Sequence, residues 1–155
     1  MENTCKLLNT SEEEYGNLHK AHILDQYKLY VEMMDRVSQR RLLANTFFIS
    51  ANSALATLFS FVKATNNNGF ALMSIIGFII CASWFCIIKS YRQLNTGKFD
   101  VIHKLEKFLP LSIYEYEWNI LEQGKSKDKY WPLSHLESYI PFAFAFIYII
   151  LIFLR

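Results

Sequence analysis

Two uncharged apolar runs, seven residues apart, constrain this chain of 155 residues more than any other feature. Residues 42–62 read LLANTFFISANSALATLFSFV, and residues 70–88 read FALMSIIGFIICASWFCII. At about 1.5 Å of rise per residue, a helix of either length reaches across the roughly 30 Å hydrocarbon core of a bilayer. Uncharged runs this long predict transmembrane helices. The joining segment 63–69, KATNNNG, is short and polar and suits a tight helical hairpin. Composition agrees. The chain is 52% hydrophobic and 19% charged, whereas soluble domains carry about 25% charge, and the apolar excess is concentrated in these runs.

A third run, 140–154, reads IPFAFAFIYIILIFL and is short for a full crossing. Ser134 and Glu137 upstream have the spacing of a capping box, in which each side chain satisfies the other's free backbone N–H. A helix over 135–154 then reaches across. Pro141 removes one of its hydrogen bonds and introduces a kink that neighbouring helices must compensate. The first 41 residues are polar and charged, so no signal peptide is expected.

Lysine and arginine set the expected orientation. Residues 1–41 carry six, the 63–69 loop one, and residues 89–134 eight. The N-terminus and 89–134 are therefore expected on the cytoplasmic side. The implied layout is a cytoplasmic N-terminal helix over 1–41, spans over 42–62 and 70–88 around an external loop at 63–69, a cytoplasmic helical segment over 89–134, and a third span over 135–154.

Ser11 and Glu14 form another capping-box match, and there is no glycine or proline from Asn17 to Asn68. Ile23, Tyr27, Tyr30, Met34 and Val37 recur at alternating steps of four and three, a helical apolar stripe. One reading is a single helix over 11–62, and the other is two helices jointed near Arg40 and Arg41; the single helix is favoured. The second span is expected to run on to about Leu94 and break at Asn95, Thr96 and Gly97. A short helix over 98–109 and another over 113–123 follow. The latter opens with Ser112 and Glu115 at capping-box spacing and stops at Gly124, with Ile113, Tyr116 and Ile120 on one side. Two such short helices are too small to cover the Ile23–Val37 stripe, so self-association is expected.

Several side chains invite chemical readings. Asn45 and Asn52 share one face of the first span, continued by Ser60 and Lys63. Asparagine facing lipid lacks hydrogen-bond partners. This face is read either as lining a pore or subunit seam, or as simple helix–helix glue. Ser74, Gly77 and Cys81 form a small-residue seam on the second span, suited to close helix packing. His19, His22 and Asp25 stand at metal-binding intervals, but zinc wants three or four ligands and an ordinary surface helix is the better reading. His103, with Arg92, Glu106, Glu115 and Glu117, is the one set that resembles an acid/base constellation. A HEPN-type ribonuclease places its arginine four to six residues before its histidine; here Arg92 lies eleven before His103. There is no phosphate loop, nucleophile elbow, HExxH or CxxC pair. No cofactor or metal is expected. The net charge of +2 lacks the basic face of a DNA-binding protein, and Cys5, Cys81 and Cys86 imply no disulfide framework.

A dispersed pattern runs from Trp84 through Ser90, Tyr91, Arg92, Leu94, Asn95, Lys98, Phe99, Val101, Ile102, Leu105, Glu106, Leu109, Pro110, Glu117, Trp118 and Tyr130 to Glu137 and Pro141. It resembles the RipA family of small octameric bacterial inner-membrane proteins. A similar architecture occurs in the membrane pores that accompany some RNA-targeting CRISPR effectors. The resemblance implies an octameric ring in the inner membrane. It places Arg92, Asn95, Glu106, Glu117 and Trp118 in the cytoplasmic core, with Trp118 as its anchor, beside the Tyr30 and Met34 stripe.

The sequence therefore reads as an all-α membrane protein with two to three transmembrane helices and a cytoplasmic helical bundle. On the strength of that resemblance it is expected to form a homo-oligomeric ring, non-enzymatic, that permeabilises the inner membrane in phage defence or stress. Its expected partners are membrane lipids, further copies of itself and a soluble defence effector. The alternatives are a membrane-tethered HEPN-like ribonuclease using Arg92 and His103, and a passive scaffold for a soluble partner.

Overall fold

A computed structural model of the chain describes residues 6–62, 67–126, 128–130 and 132–153. Five α-helices follow in order: α1 (Glu12–Tyr15), α2 (His19–Val62), α3 (Asn67–Glu106), α4 (Ile113–Ile120) and α5 (Leu133–Phe153), with a 3-10 turn over Glu122–Gly124 before α5. No strand occurs among the described residues.

α2 is one helix of 44 residues, without a joint at Arg40 and Arg41. It does not begin at Ser11. Ser11 does cap α1, accepting from the Glu14 N–H at 3.3 Å. Gly16 then takes φ +88°, and its N–H closes α1 on the Glu12 carbonyl at 2.9 Å. Only glycine enters that region without steric cost, so the chain turns and restarts at His19.

The break expected at Asn95, Thr96 and Gly97 is absent: α3 runs 40 residues to Glu106. A glycine inside a helix costs about 1 kcal/mol relative to alanine. Burying a side chain such as Ile102, which is fully enclosed here, returns about 1.5–3 kcal/mol. Packing therefore outweighs the local break signal.

α4 also departs from expectation. It ends at Ile120 rather than at 123, because Glu122 and Gln123 adopt φ of 49° and 56°. Ser112 makes no side-chain cap. Ile113, Tyr116 and Ile120 do share one side of it, and that side is 60%, 70% and 54% exposed. α5 starts at Leu133, one residue ahead of Ser134, so the Ser134–Glu137 capping box does not open it. Pro141 lies buried inside α5, and the helix continues through it.

The helices contribute to two compact units. One unites Val37–Leu94 with α5. Its core is Phe59, Phe70, Cys81 and Tyr148, with Leu55, Met73 and Phe144 packed around it. The other unites the chain up to Arg36 with Asn95–Tyr130. There Ile23, Met34, Ile102 and Glu106 are buried. The Ile23–Val37 stripe is thus covered within one chain, because the long α3 replaces the short helix that was expected. Self-association needs a different face.

Candidate functional site

In the apolar unit, Asn45 and Asn52 turn into the chain's own core. Asn45 Oδ1 accepts from the Trp84 indole Nε1 at 2.9 Å. Trp84 is fully buried and lies stacked on Phe48, with ring centroids 5.7 Å apart. Asn52 is fully buried; its Nδ2 donates to the Phe48 carbonyl at 2.8 Å. Its Oδ1 accepts from the Tyr148 hydroxyl at 2.9 Å and from the Cys81 thiol at 3.4 Å. A polar group is expensive in hydrocarbon unless bonded, and these two bond α2 to α3 and α5. Of the two roles considered for this face, these bonds are those of helix–helix glue. Lys63 lies outside the described residues, as does the side chain of Ser60.

The Ser74, Gly77 and Cys81 seam receives α5. A Cβ built on Gly77 would stand 2.7 Å from two ring carbons of Tyr148. The missing side chain is what lets the phenol lie across α3 and reach Asn52. Near the other end of α5, Arg41 Nε stands 3.5 Å from Glu137 Oε2. Glu137 therefore faces α2 rather than serving the capping box expected of it.

The outward face of the first span carries what the sequence reading passed over. Thr46, Ser50, Ser53 and Thr57 are all exposed. Their spacing of four, three and four sets them in one line along the helix. Thr46 Oγ1 donates to the Leu42 carbonyl at 3.0 Å and Thr57 Oγ1 to the Ser53 carbonyl at 2.9 Å. The hydroxyl line lies on an otherwise apolar surface that includes Leu43, Phe47, Leu58 and Phe61. The signal was in the periodicity of serine and threonine; the bulkier asparagines drew attention to the neighbouring face.

In the polar unit, Glu106 is the organising residue. It is fully buried. Its Oε1 accepts from the Tyr27 hydroxyl at 3.1 Å and the Tyr114 N–H at 2.8 Å, and its Oε2 from the Glu115 N–H at 3.0 Å. The carboxylate of α3 thus caps α4 in place of Ser112, at the helix end where a negative charge is favoured. Burial, and then the bond to Glu106, push the Tyr27 phenol up to about 12. Burial also raises Tyr30 and Tyr114. Lys98 Nζ lies 4.6 Å over the Tyr30 ring. Met34 is buried and Asn95 half-buried, whereas Arg92 and Glu117 are exposed. Trp118, expected to anchor the core, is 37% exposed: the Glu106 cap holds Tyr114 and Glu115 toward α3 instead.

Arg92 and His103 both stand on α3, eleven residues apart, which is about three helical turns. His103 packs beside Phe99, and its Nε2 is buried without a hydrogen-bond partner among the described residues. Tyr15 donates to or accepts from His22 Nδ1 at 2.9 Å and stacks edge-on against His19 and His22. Asp25 pairs with Lys28 instead. No group of three or more His, Cys, Asp or Glu side chains is placed to hold a metal among the described residues.

Two helices are long and apolar enough to cross a membrane, His19–Phe59 and Gly69–Glu106, and Leu136–Leu151 is a shorter apolar stretch. A family model described as the octameric membrane protein family (8xMP) matches residues 24–155. Comparison with curated proteins and with solved structures finds no match.

Proposed function

The chain belongs to the octameric membrane protein family, and from that premise we propose that eight copies form a ring around a central opening in the bacterial inner membrane. The ring permeabilises that membrane in phage defence or stress. The N-terminus and the polar unit lie on the cytoplasmic side, as the excess of lysine and arginine in 1–41 and 89–134 supports. α5 completes the membrane unit as a third crossing, supported by its 21 residues, its bond to α2 and its ring contacts with α3. No reaction is assigned to the chain. Its work is to pass small hydrated solutes, with lipid as its surroundings and a soluble effector as its trigger.

One observation carries the pore reading: the line of Thr46, Ser50, Ser53 and Thr57 on the exposed face of the first span. Hydrocarbon offers hydroxyl lone pairs nothing, whereas a water-filled lumen satisfies them. Asn45 and Asn52 then hold each hairpin rigid behind that wall. The test is current through protein reconstituted in planar bilayers, with Cys5 and Cys86 replaced by serine. In a Ser53→Cys variant, a charged water-soluble thiol reagent should cut the current several-fold, and in a Leu58→Cys variant it should not. Absence of current from octameric wild-type protein and from its mixtures with cell extract would contradict the reading.

A further inference from the structure

We propose that α4 is one half of the contact between neighbouring subunits and that the outer line of α2, with Leu29 and Met33, is the other half. The proposal rests on the octamer but not on its conducting anything. Ile113, Tyr116 and Ile120 share one face of α4 and are 60%, 70% and 54% exposed. They belong to the polar unit, outside the uncharged spans, where hydrocarbon does not cover them. Exposed apolar faces of this kind mark interaction sites.

The face is held out by construction. Glu106 binds the N–H groups of Tyr114 and Glu115 and so fixes the rotation of α4 about its axis. With those two residues turned inward, Ile113, Tyr116 and Ile120 point away. A closed ring of one chain type needs a head-to-tail contact, in which each copy presents two different and complementary patches. The polar unit presents a second patch. Leu29 and Met33 are 58% and 46% exposed and, four residues apart on α2, share one face of it.

Charge favours this occupant over a lipid surface. α4 carries Glu115 and Glu117 and no basic residue, the wrong sign for an anionic leaflet. Glu117 lies on the flank of its exposed face. On α2, Arg36 continues the Leu29 and Met33 line within the same unit. It is bound to Glu32 at 2.7 Å. Arg36 of one copy, 65% exposed beside its own Glu32, is the cation that meets Glu117 of the next.

The test is disulfide cross-linking of the full chain in native membranes, with Cys5, Cys81 and Cys86 replaced by serine. In a Tyr116→Cys, Met33→Cys double variant, oxidation should give a covalent ladder extending past the dimer toward eight copies, while each single variant stops at dimer or below. An internal disulfide that leaves only monomer, or no ladder in a protein whose native mass is still octameric, would overturn the contact and leave the octamer standing. A monomeric native mass of the wild type would overturn both. Ile113→Ser with Ile120→Ser should raise the octamer's dissociation constant at least tenfold with helix content unchanged, and an unchanged octamer would count against the proposal. Quenching of a probe on Tyr116→Cys by brominated lipid would assign the face to the membrane instead and equally overturn it.

Discussion

Asn52 and Tyr27 show how single polar atoms are settled in two different solvents. In the apolar unit, Asn52 spends its carbonyl on Tyr148 and Cys81 and its amide on Phe48. Replacing it with leucine removes bonds between three helices. Interhelical hydrogen bonds in membranes are worth about 0.6 to 2 kcal/mol each, so Asn52→Leu should lower stability in detergent by about 1–2 kcal/mol. A double-mutant cycle with Tyr148→Phe checks the assignment: the two losses should be less than additive. Strict additivity would mean the bond does not contribute. In the polar unit, the Tyr27 phenol is pushed up to about 12 by burial and by the Glu106 carboxylate, from about 10 in an unfolded chain. A raised acid stabilises the fold fully below pH 10 and loses that contribution as pH climbs toward 12. Thermal midpoints measured from pH 9 to 11.5 should fall less steeply for Tyr27→Phe than for the wild type; parallel curves would contradict this.

At the scale of elements, α5 and α4 are positioned by contacts far away in sequence. α5 lies against α3 because Gly77 leaves room for the Tyr148 ring. Gly77→Ala puts a methyl into a ring whose hydroxyl is tethered to Asn52, and should cost about 1–3 kcal/mol. The same change in a Tyr148→Ala background should cost much less, as read by detergent melting. α4 is positioned by Glu106, so Glu106→Ala should speed amide exchange at Tyr114 and Glu115 at least tenfold, with Glu106→Gln intermediate; unchanged protection would show another cap at work. These two residues also mark what sequence conveys. The two long apolar helices, the unbroken α2 beyond Gly16, and the inward Ile23, Tyr27, Tyr30 and Met34 stripe follow from run length and periodicity. The capping of α4 does not, since Ser112 and Glu115 offer a plausible local box and the real cap is six positions upstream of Ser112. Gly97 misled for the same reason, as local break chemistry was outweighed by burial of Ile102 and Glu106. At the site, Asn45 and Asn52 were legible as a polar face, but which way that face turns depends on Trp84 and Tyr148, contributed by other helices.

For the whole molecule, a single chain leaves two things uncovered that an octamer can use. One is the hydroxyl line of Thr46, Ser50, Ser53 and Thr57 on the first span, which a shared lumen would wet. The other is the pair of apolar faces in the polar unit, which neighbouring copies would cover. The Asn45, Asn52 and Glu106 bonds are internal and make each protomer a preformed building block. The account predicts that weakening the α4 face disperses the ring, whereas changing Ser53 alters passage through it without dispersing it. Imaging single particles in mild detergent tests the central claim most directly. It should show eight copies around an open axis; particles of one or two copies, or an octamer closed solid along its axis, would contradict it.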